Sequence, residues 1–313
     1  MSGIKVGGQA VIEGILMKTP WSYSVAIRQP NGNIQTIRRD FKSFVYRYNI
    51  HRIPILRGVV TMLEVICIGI WALSFSADVA MEDEKNKKKS NLSNALFMTV
   101  TLVGSFGFAL LLFFFLPLFL VSNVMQMNND NVFVYNLLAG GIRIFIFLCY
   151  LWIVSSMNDI RRVFEYHGAE HKTIANYESG EPLSVEAAGR FSRFHPRCGT
   201  SFLFMVLVVA IVVFSIGDAI VIHLSGHLTF IERLGYHFLY IPLISGAGYE
   251  VIRLAAQNRQ NRFLSALIYP GLLLQKLTTR EPDNSQLQIA ICALEEALKS
   301  VKPCQKDVSE IVL

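Results

Sequence analysis

Apolar and polar positions along this chain separate into long blocks. Apolar runs cover residues 59–77, 95–121, 132–156, 201–224 and 236–256, with polar stretches between them. A helix needs roughly 20 residues to cross a hydrocarbon core of about 30 Å. The second, third and fourth runs meet that length and predict transmembrane helices. The first is different: it carries Glu64 and is edged by Pro54 and Arg57. A charge at the bilayer centre costs roughly 2.5–3.5 kcal/mol on insertion scales. Residues 59–77 are therefore expected to be re-entrant, interfacial or packed against other helices without crossing.

Shorter patterns mark the polar blocks. Residues 23–28 and 33–39 are rich in β-formers and flank Pro30-Asn31-Gly32, a strong hairpin signal. Residues 161–177 predict a helix that continues from the preceding apolar segment. Gly180-Glu181-Pro182 predicts a turn, and residues 184–193 a second short helix. In the tail, Ser285 with Gln288 fits a capping box, and Leu287, Ile291, Leu294 and Leu298 recur at helical spacing. This tail helix is expected to pack on the N-terminal module. Residues 85–89 form a basic linker, suited to a solvated loop beside anionic headgroups.

Composition agrees with a membrane protein. Of 313 residues, 52% are hydrophobic and 17% charged, and the mean hydropathy is +0.42. The net charge of +6 is not a nucleic-acid footprint; its distribution is a topology signal instead. Basic residues fall in 1–58, 81–92, 157–199 and 251–313, whereas 123–131 and 225–232 have none. The positive-inside rule places the basic regions in the cytoplasm and the two uncharged loops outside. Four crossings with both termini inside satisfy every region. Residues 1–20 lack the apolar run of a signal peptide. Five cysteines without paired spacing fit a reducing compartment.

The fold class expected is mainly α: a polytopic α-helical membrane protein with a small N-terminal β-hairpin module and cytoplasmic helical segments. Residues 1–58 form the cytoplasmic module and 59–80 the non-spanning or re-entrant segment. Residues 95–156 hold two transmembrane helices, 157–199 a cytoplasmic motif region, 200–256 two more helices, and 257–313 a cytoplasmic tail. Arg143, midway along its helix, requires a partner, with Asp218 and Glu64 as candidates.

Chemistry concentrates in Glu165-Tyr166-His167-Gly168-Ala169-Glu170-His171. Histidines four apart share one helical face, and neutral imidazole is the commonest metal ligand. The order His-x-x-Glu-His also occurs in one class of zinc peptidases. Candidate ligands are therefore His167 and His171, completed by Glu250 or by His195 and Cys198. Glu170 is the candidate general base. The donor types suit a divalent metal, zinc by its ligand chemistry. Gly7, Gly8 and Glu13 in Gly7-Gly8-Gln9-Ala10-Val11-Ile12-Glu13-Gly14 are candidate cleft residues, because glycines allow close backbone approach.

The Gly7–Gly14 block, Tyr166-His167-Gly168-Ala169-Glu170-His171-Lys172-Thr173, His195-Pro196-Arg197-Cys198-Gly199-Thr200-Ser201, Tyr249-Glu250-Val251-Ile252-Arg253 and Leu277-Thr278-Thr279-Arg280-Glu281-Pro282 together resemble the YqhQ-like family of bacterial membrane proteins. That family is of unknown function and is described only as candidate metal-dependent enzymes. The resemblance implies a multi-pass protein of the bacterial inner membrane, with membrane lipids around it and no nucleic-acid partner. It supplies no substrate. Three functions stay open: a metal-dependent hydrolase at the cytoplasmic face, a scaffold or assembly factor with a closed structural metal site, and a small transporter using Glu64, Arg143 and Asp218.

Overall fold

The computed structural model describes residues 4–80, 91–127, 131–258 and 260–299; the 85–89 linker lies outside them. Four strands come first: β1 (Gly7–Val11), β2 (Gly14–Lys18), β3 (Ser22–Arg28) and β4 (Ile34–Asp40). They form one antiparallel meander in that order. The expected hairpin is β3–β4, turned through Gly32 at φ 86°. A second hairpin, β1–β2, precedes it. Its turn holds Glu13 at φ 52°, and the following Gly14 lies against the Ala26 carbonyl, where a side chain has no room.

Helices follow as α1 (Phe44–Arg47), α2 (Leu56–Ala80), α3 (Asn91–Leu110), α4 (Leu116–Phe119), α5 (Val132–Ser155), α6 (Asn158–Ser179), α7 (Val185–Arg190), α8 (Gly199–Ser225), α9 (Phe230–Leu239), α10 (Ile241–Gln257), α11 (Arg262–Thr278) and α12 (Asn284–Leu298). A π-helical turn at Leu111–Phe115 joins α3 to α4, and a second at Leu120–Val124 extends α4. Mainly helical with a small N-terminal sheet is thus the architecture. Among the described residues, four helical segments, α2 included, are long and apolar enough to cross a membrane, or five if the bent pair α9–α10 is one span.

The sheet is covered on both faces, and strand alternation shows how. Ile15, Met17 and Ala26 face one core with Tyr166 and Ala169 of α6 and Leu287, Ala290 and Leu294 of α12. Val11, Leu16, Val25 and Ile27 face another with Ile68, Ala72 and Val79 of α2. Neighbouring residues pointing to opposite faces explain why Ile15, Leu16 and Met17 of β2 are all apolar. Ser24 and Ser22 donate from β3 to the Ala293 and Ala297 carbonyls, the latter at 2.6 Å, so they lock α12 across the sheet.

Several expectations shift. The α12 capping box is Asp283 with Gln286, not Ser285 with Gln288. Asp283 accepts from the Gln286 N–H at 2.8 Å, and Ser285 is drawn off by its bond to Asp283. Helix α6 starts afresh at Asn158 after a break from α5. The fifth apolar run is two helices bent by 48°, with Pro242 at the start of α10.

Neither candidate partner binds Arg143. Pro117 has no N–H to give the Phe113 carbonyl one turn back, and Arg143 Nε donates to that carbonyl at 2.7 Å. Glu64 meets Lys18 at 3.2 Å and accepts from Ser43. Asp218 accepts from Arg233 at 2.9 Å, Asn136 at 2.9 Å and His237 at 3.0 Å.

Candidate metal centre

Helix α6 carries the motif and is fixed on two sides. The β1–β2 turn clamps its first half: Glu13 takes Arg162 in a two-point ion pair and a bond from the Tyr166 hydroxyl at 3.3 Å. On the other side, the segment after α11 lies directly against Gly168, whose missing Cβ makes room for the Arg280 carbonyl. The Arg280 N–H donates to the Phe164 carbonyl at 2.8 Å. That approach brings the end of α11 to His167.

Both motif histidines are oriented by backbone carbonyls. His167 Nδ1 lies 2.8 Å from the Thr278 carbonyl, and His171 Nδ1 lies 2.6 Å from that of Arg193. A carbonyl only accepts, so each Nδ1 carries the proton and each Nε2 is left with a lone pair. His167 Nε2 is 3.2 Å from Cys198 Sγ. His171 Nε2 is buried with no hydrogen-bond partner. Ligand atoms of His167, His171 and Cys198 all lie within 4.8 Å of one another. Two imidazole lone pairs and a sulfur converging in a buried position fit a zinc-type ion. Burial pushes the His171 imidazole below its ordinary pKa, which favours the neutral, ligating form.

Cys198 arrives on the loop between α7 and α8, which Gln275 of α11 holds. Gln275 is fully buried; it accepts the His195 N–H at 2.8 Å and donates to the His195 carbonyl at 2.8 Å and to Ser201 Oγ at 3.0 Å. Arg193 donates to the Thr279 carbonyl, and Lys172 ties Gly189 and Glu281 together at 3.0 Å each. Sequence reading missed Gln275. Its signal is a lone amide after the apolar Leu272-Leu273-Leu274.

The remaining candidates occupy other positions. Glu170 is buried beside the group; burial raises its carboxyl above the usual range, opposed by the charges of His167 and His195 and a bond from the Gly8 N–H. Gly8 presses on it so closely that an added Cβ would stand 2.7 Å from the Glu170 side chain. The His195 ring centroid is 5.6 Å from that of His171, and its Nε2 lies 3.6 Å from Glu178. Glu250 is in an ion pair with Arg57, away from the histidines. The structure thus gathers Cys198 with the histidine pair, and leaves Glu250 and His195 outside the group. Gly7 has open space around it.

Comparison with known proteins agrees with the motif blocks. A family described as "Protein of unknown function (DUF1385)" matches residues 53–300. A relative from Bacillus subtilis (strain 168), named "Uncharacterized protein YqhQ", is 33% identical over 305 residues, covering 94% of this chain and 92% of the relative. No solved structure matches.

Proposed function

We propose, since this chain belongs to the DUF1385 family and that family's function is unknown, a role built on the site itself: a metal-dependent hydrolase at the cytoplasmic face of a bacterial inner membrane. His167, His171 and Cys198 would hold a divalent ion, zinc by the donor set. The observation that carries this reading is the pair of committed Nδ1 atoms, which leaves the buried His171 Nε2 without a partner beside His167 and Cys198. When bound, such an ion polarises a carbonyl or phosphoryl oxygen and activates water.

The chain's own residues supply the rest. Glu170, with its carboxyl raised by burial, holds a proton more readily than a surface glutamate and serves as the acid–base group. The Gly8 N–H fixes its orientation. Three gathered protein ligands leave a position open for substrate, as catalytic zinc sites do. A closed structural site needs His195 as a fourth, and His195 stands outside the group.

The charge map orients the bundle, with the motif helix inside. The placement of α2 supports a non-crossing role. Its buried face lies on the sheet through Ile68, Ala72 and Val79, and Glu64 pairs with Lys18 of β2. Its other face exposes Leu63, Ile66, Ile70 and Leu73, so an interfacial position would set one side of α2 on the sheet and the other against lipid.

Metal analysis of the purified chain tests the site. One zinc per chain is expected for wild type and Glu170→Gln, with loss in His171→Ala and Cys198→Ser. Wild type without metal, or His171→Ala fully loaded, defeats the proposal. For topology, Asn31→Cys in a background lacking other cysteines should resist an impermeant maleimide in intact cells. Labelling there would reverse the orientation.

A further inference from the structure

A cleft of about 680 Å³ opens between the sheet edge, the corner before α2, and α10. That volume is within the roughly 300–1,000 Å³ of small-molecule sites. Its lining is unusually basic. Lys5, Lys18, Arg52, Arg57 and Arg253 line it, with Glu64 as the carboxylate among them. Glu64 is taken by Lys18 at 3.2 Å, and Arg57 is taken by Glu250. Lys5, Arg52 and Arg253 have no carboxylate partner among the described residues.

The corner carrying Arg52 is held in place. Arg57 donates to the His51 carbonyl at 2.8 Å while bound to Glu250, and Ile55, at φ 65°, gives its N–H to the same carboxylate at 3.3 Å. Lys5, Arg52 and Arg253 thus line one cleft outside the ion pairs, and Glu250, which Arg57 already holds, is the carboxylate that feels Arg253. Burial, together with the charges of Arg253 and Arg197, depresses the Lys5 ammonium, as expected where cations face one another.

Two further features define the ligand. A carboxylate brings one charge, whereas a phosphate ester brings up to two charges and several oxygens, enough for three separated cations. Val65 and Ile68 of α2 add an apolar wall. Outside the cleft, Leu63, Ile66, Ile70 and Leu73 form an exposed apolar stripe on the same helix. The cleft also lies one residue from Glu170, because Gly8 lines it and gives its N–H to that carboxyl.

We propose that this cleft binds a phosphate-bearing group through Lys5, Arg52 and Arg253. As a binding site it stands alone. As the substrate site of a hydrolase it rests on the reading of His167, His171 and Cys198 given above. It gives a role to the end of the Tyr249–Arg253 block, which the metal centre leaves unused.

The test is equilibrium binding to the full chain in non-ionic detergent, with inorganic phosphate, dihexanoyl phosphatidic acid and dihexanoyl phosphatidylcholine as probes. Phosphate and phosphatidic acid should bind, and phosphatidylcholine should bind at least about tenfold more weakly than phosphatidic acid. Lys5→Gln and Arg253→Gln should each weaken phosphatidic acid by about tenfold, the loss of one charge-assisted contact, with circular dichroism and metal content unchanged. Phosphatidic acid binding about tenfold tighter than phosphate marks a lipid-borne ligand; equal binding marks a soluble phosphate ester. His171→Ala should lose metal and keep phosphate binding, which separates the cleft from the centre. No binding of either anion, equal binding of the two lipids, no effect of the substitutions, or loss of phosphate binding in His171→Ala would overturn the proposal.

Discussion

Two of the polar clusters among the described residues, around Asp218 and around Cys198, are built on opposite principles. Around Asp218, donors surround a charge: Arg233, Asn136 and His237 all point at one carboxylate, and Arg233 also lies 3.7 Å over the Tyr135 ring. Charge is balanced inside the cluster. Around Cys198, lone pairs converge: the Nε2 atoms of His167 and His171 face the sulfur, and the Nδ1 protons are spent on carbonyls. The first cluster ties α5, α8 and α9 together. The second leaves His171 Nε2 buried without a hydrogen-bond partner, which is what the proposed ion would use. A buried polar group becomes a candidate site when its partners are missing, not merely because it is polar.

The largest effect should come from breaking the balanced cluster. Asp218→Ala removes the carboxylate that balances the buried Arg233 cation, so detergent-solubilised protein should lose about 3–5 kcal/mol to denaturant while keeping its metal. Loss of metal instead would mean that the two clusters are coupled. The second cluster should respond to ligand rather than to chain stability. Zinc at about 100 times its Kd should stabilise wild type by about 2.7 kcal/mol. It should stabilise Asp218→Ala equally and His171→Ala not at all, measured as a shift in thermal unfolding.

Smaller effects refine the contrast. Gln275→Ala frees the His195–Cys198 loop and leaves polar groups unsatisfied. It should cost about 1–3 kcal/mol and weaken zinc by about 10–100-fold, because it acts on the support of a ligand. Asp283→Ala removes the α12 cap and touches neither cluster, costing about 0.5–2 kcal/mol with metal binding unchanged. Burial pushes the Asp283 carboxyl up, but bonds from Ser285 and Gln286 and the charge of Arg28 outweigh it and leave the carboxyl below its ordinary 3.8. A carboxyl lowered by folding contributes fully above the unfolded pKa, and its contribution fades as pH falls through the lower folded value. The wild-type advantage over Asp283→Ala should therefore hold near neutrality and shrink below about pH 4.

Local patterns carried much of the fold. Asn31-Gly32 marked the β3–β4 hairpin, apolar length marked the long helices, and the spacing of His167 and His171 placed both on one helical face. The β1–β2 hairpin was harder to read. Gly7 and Gly8 weaken a strand signal, and β2 is buried on both faces, so it shows no alternation. Arg143 lost its expected acidic partners because its acceptor is a backbone carbonyl freed by Pro117, which no side-chain pattern reveals. The same is true of the centre. The candidate residue types were legible, but which of them stand together, Cys198 and not Glu250 beside His167 and His171, depends on Gly168 admitting the Arg280 backbone and on Gln275 holding a loop 80 residues away in sequence.

X-ray absorption at the zinc edge of the purified chain tests the central claim most directly. Two imidazole nitrogens and one sulfur at about 2.3 Å should appear in wild type, and the sulfur should vanish in Cys198→Ser. A purified chain without bound metal, or a sulfur-free shell that Cys198→Ser leaves unchanged, would contradict it.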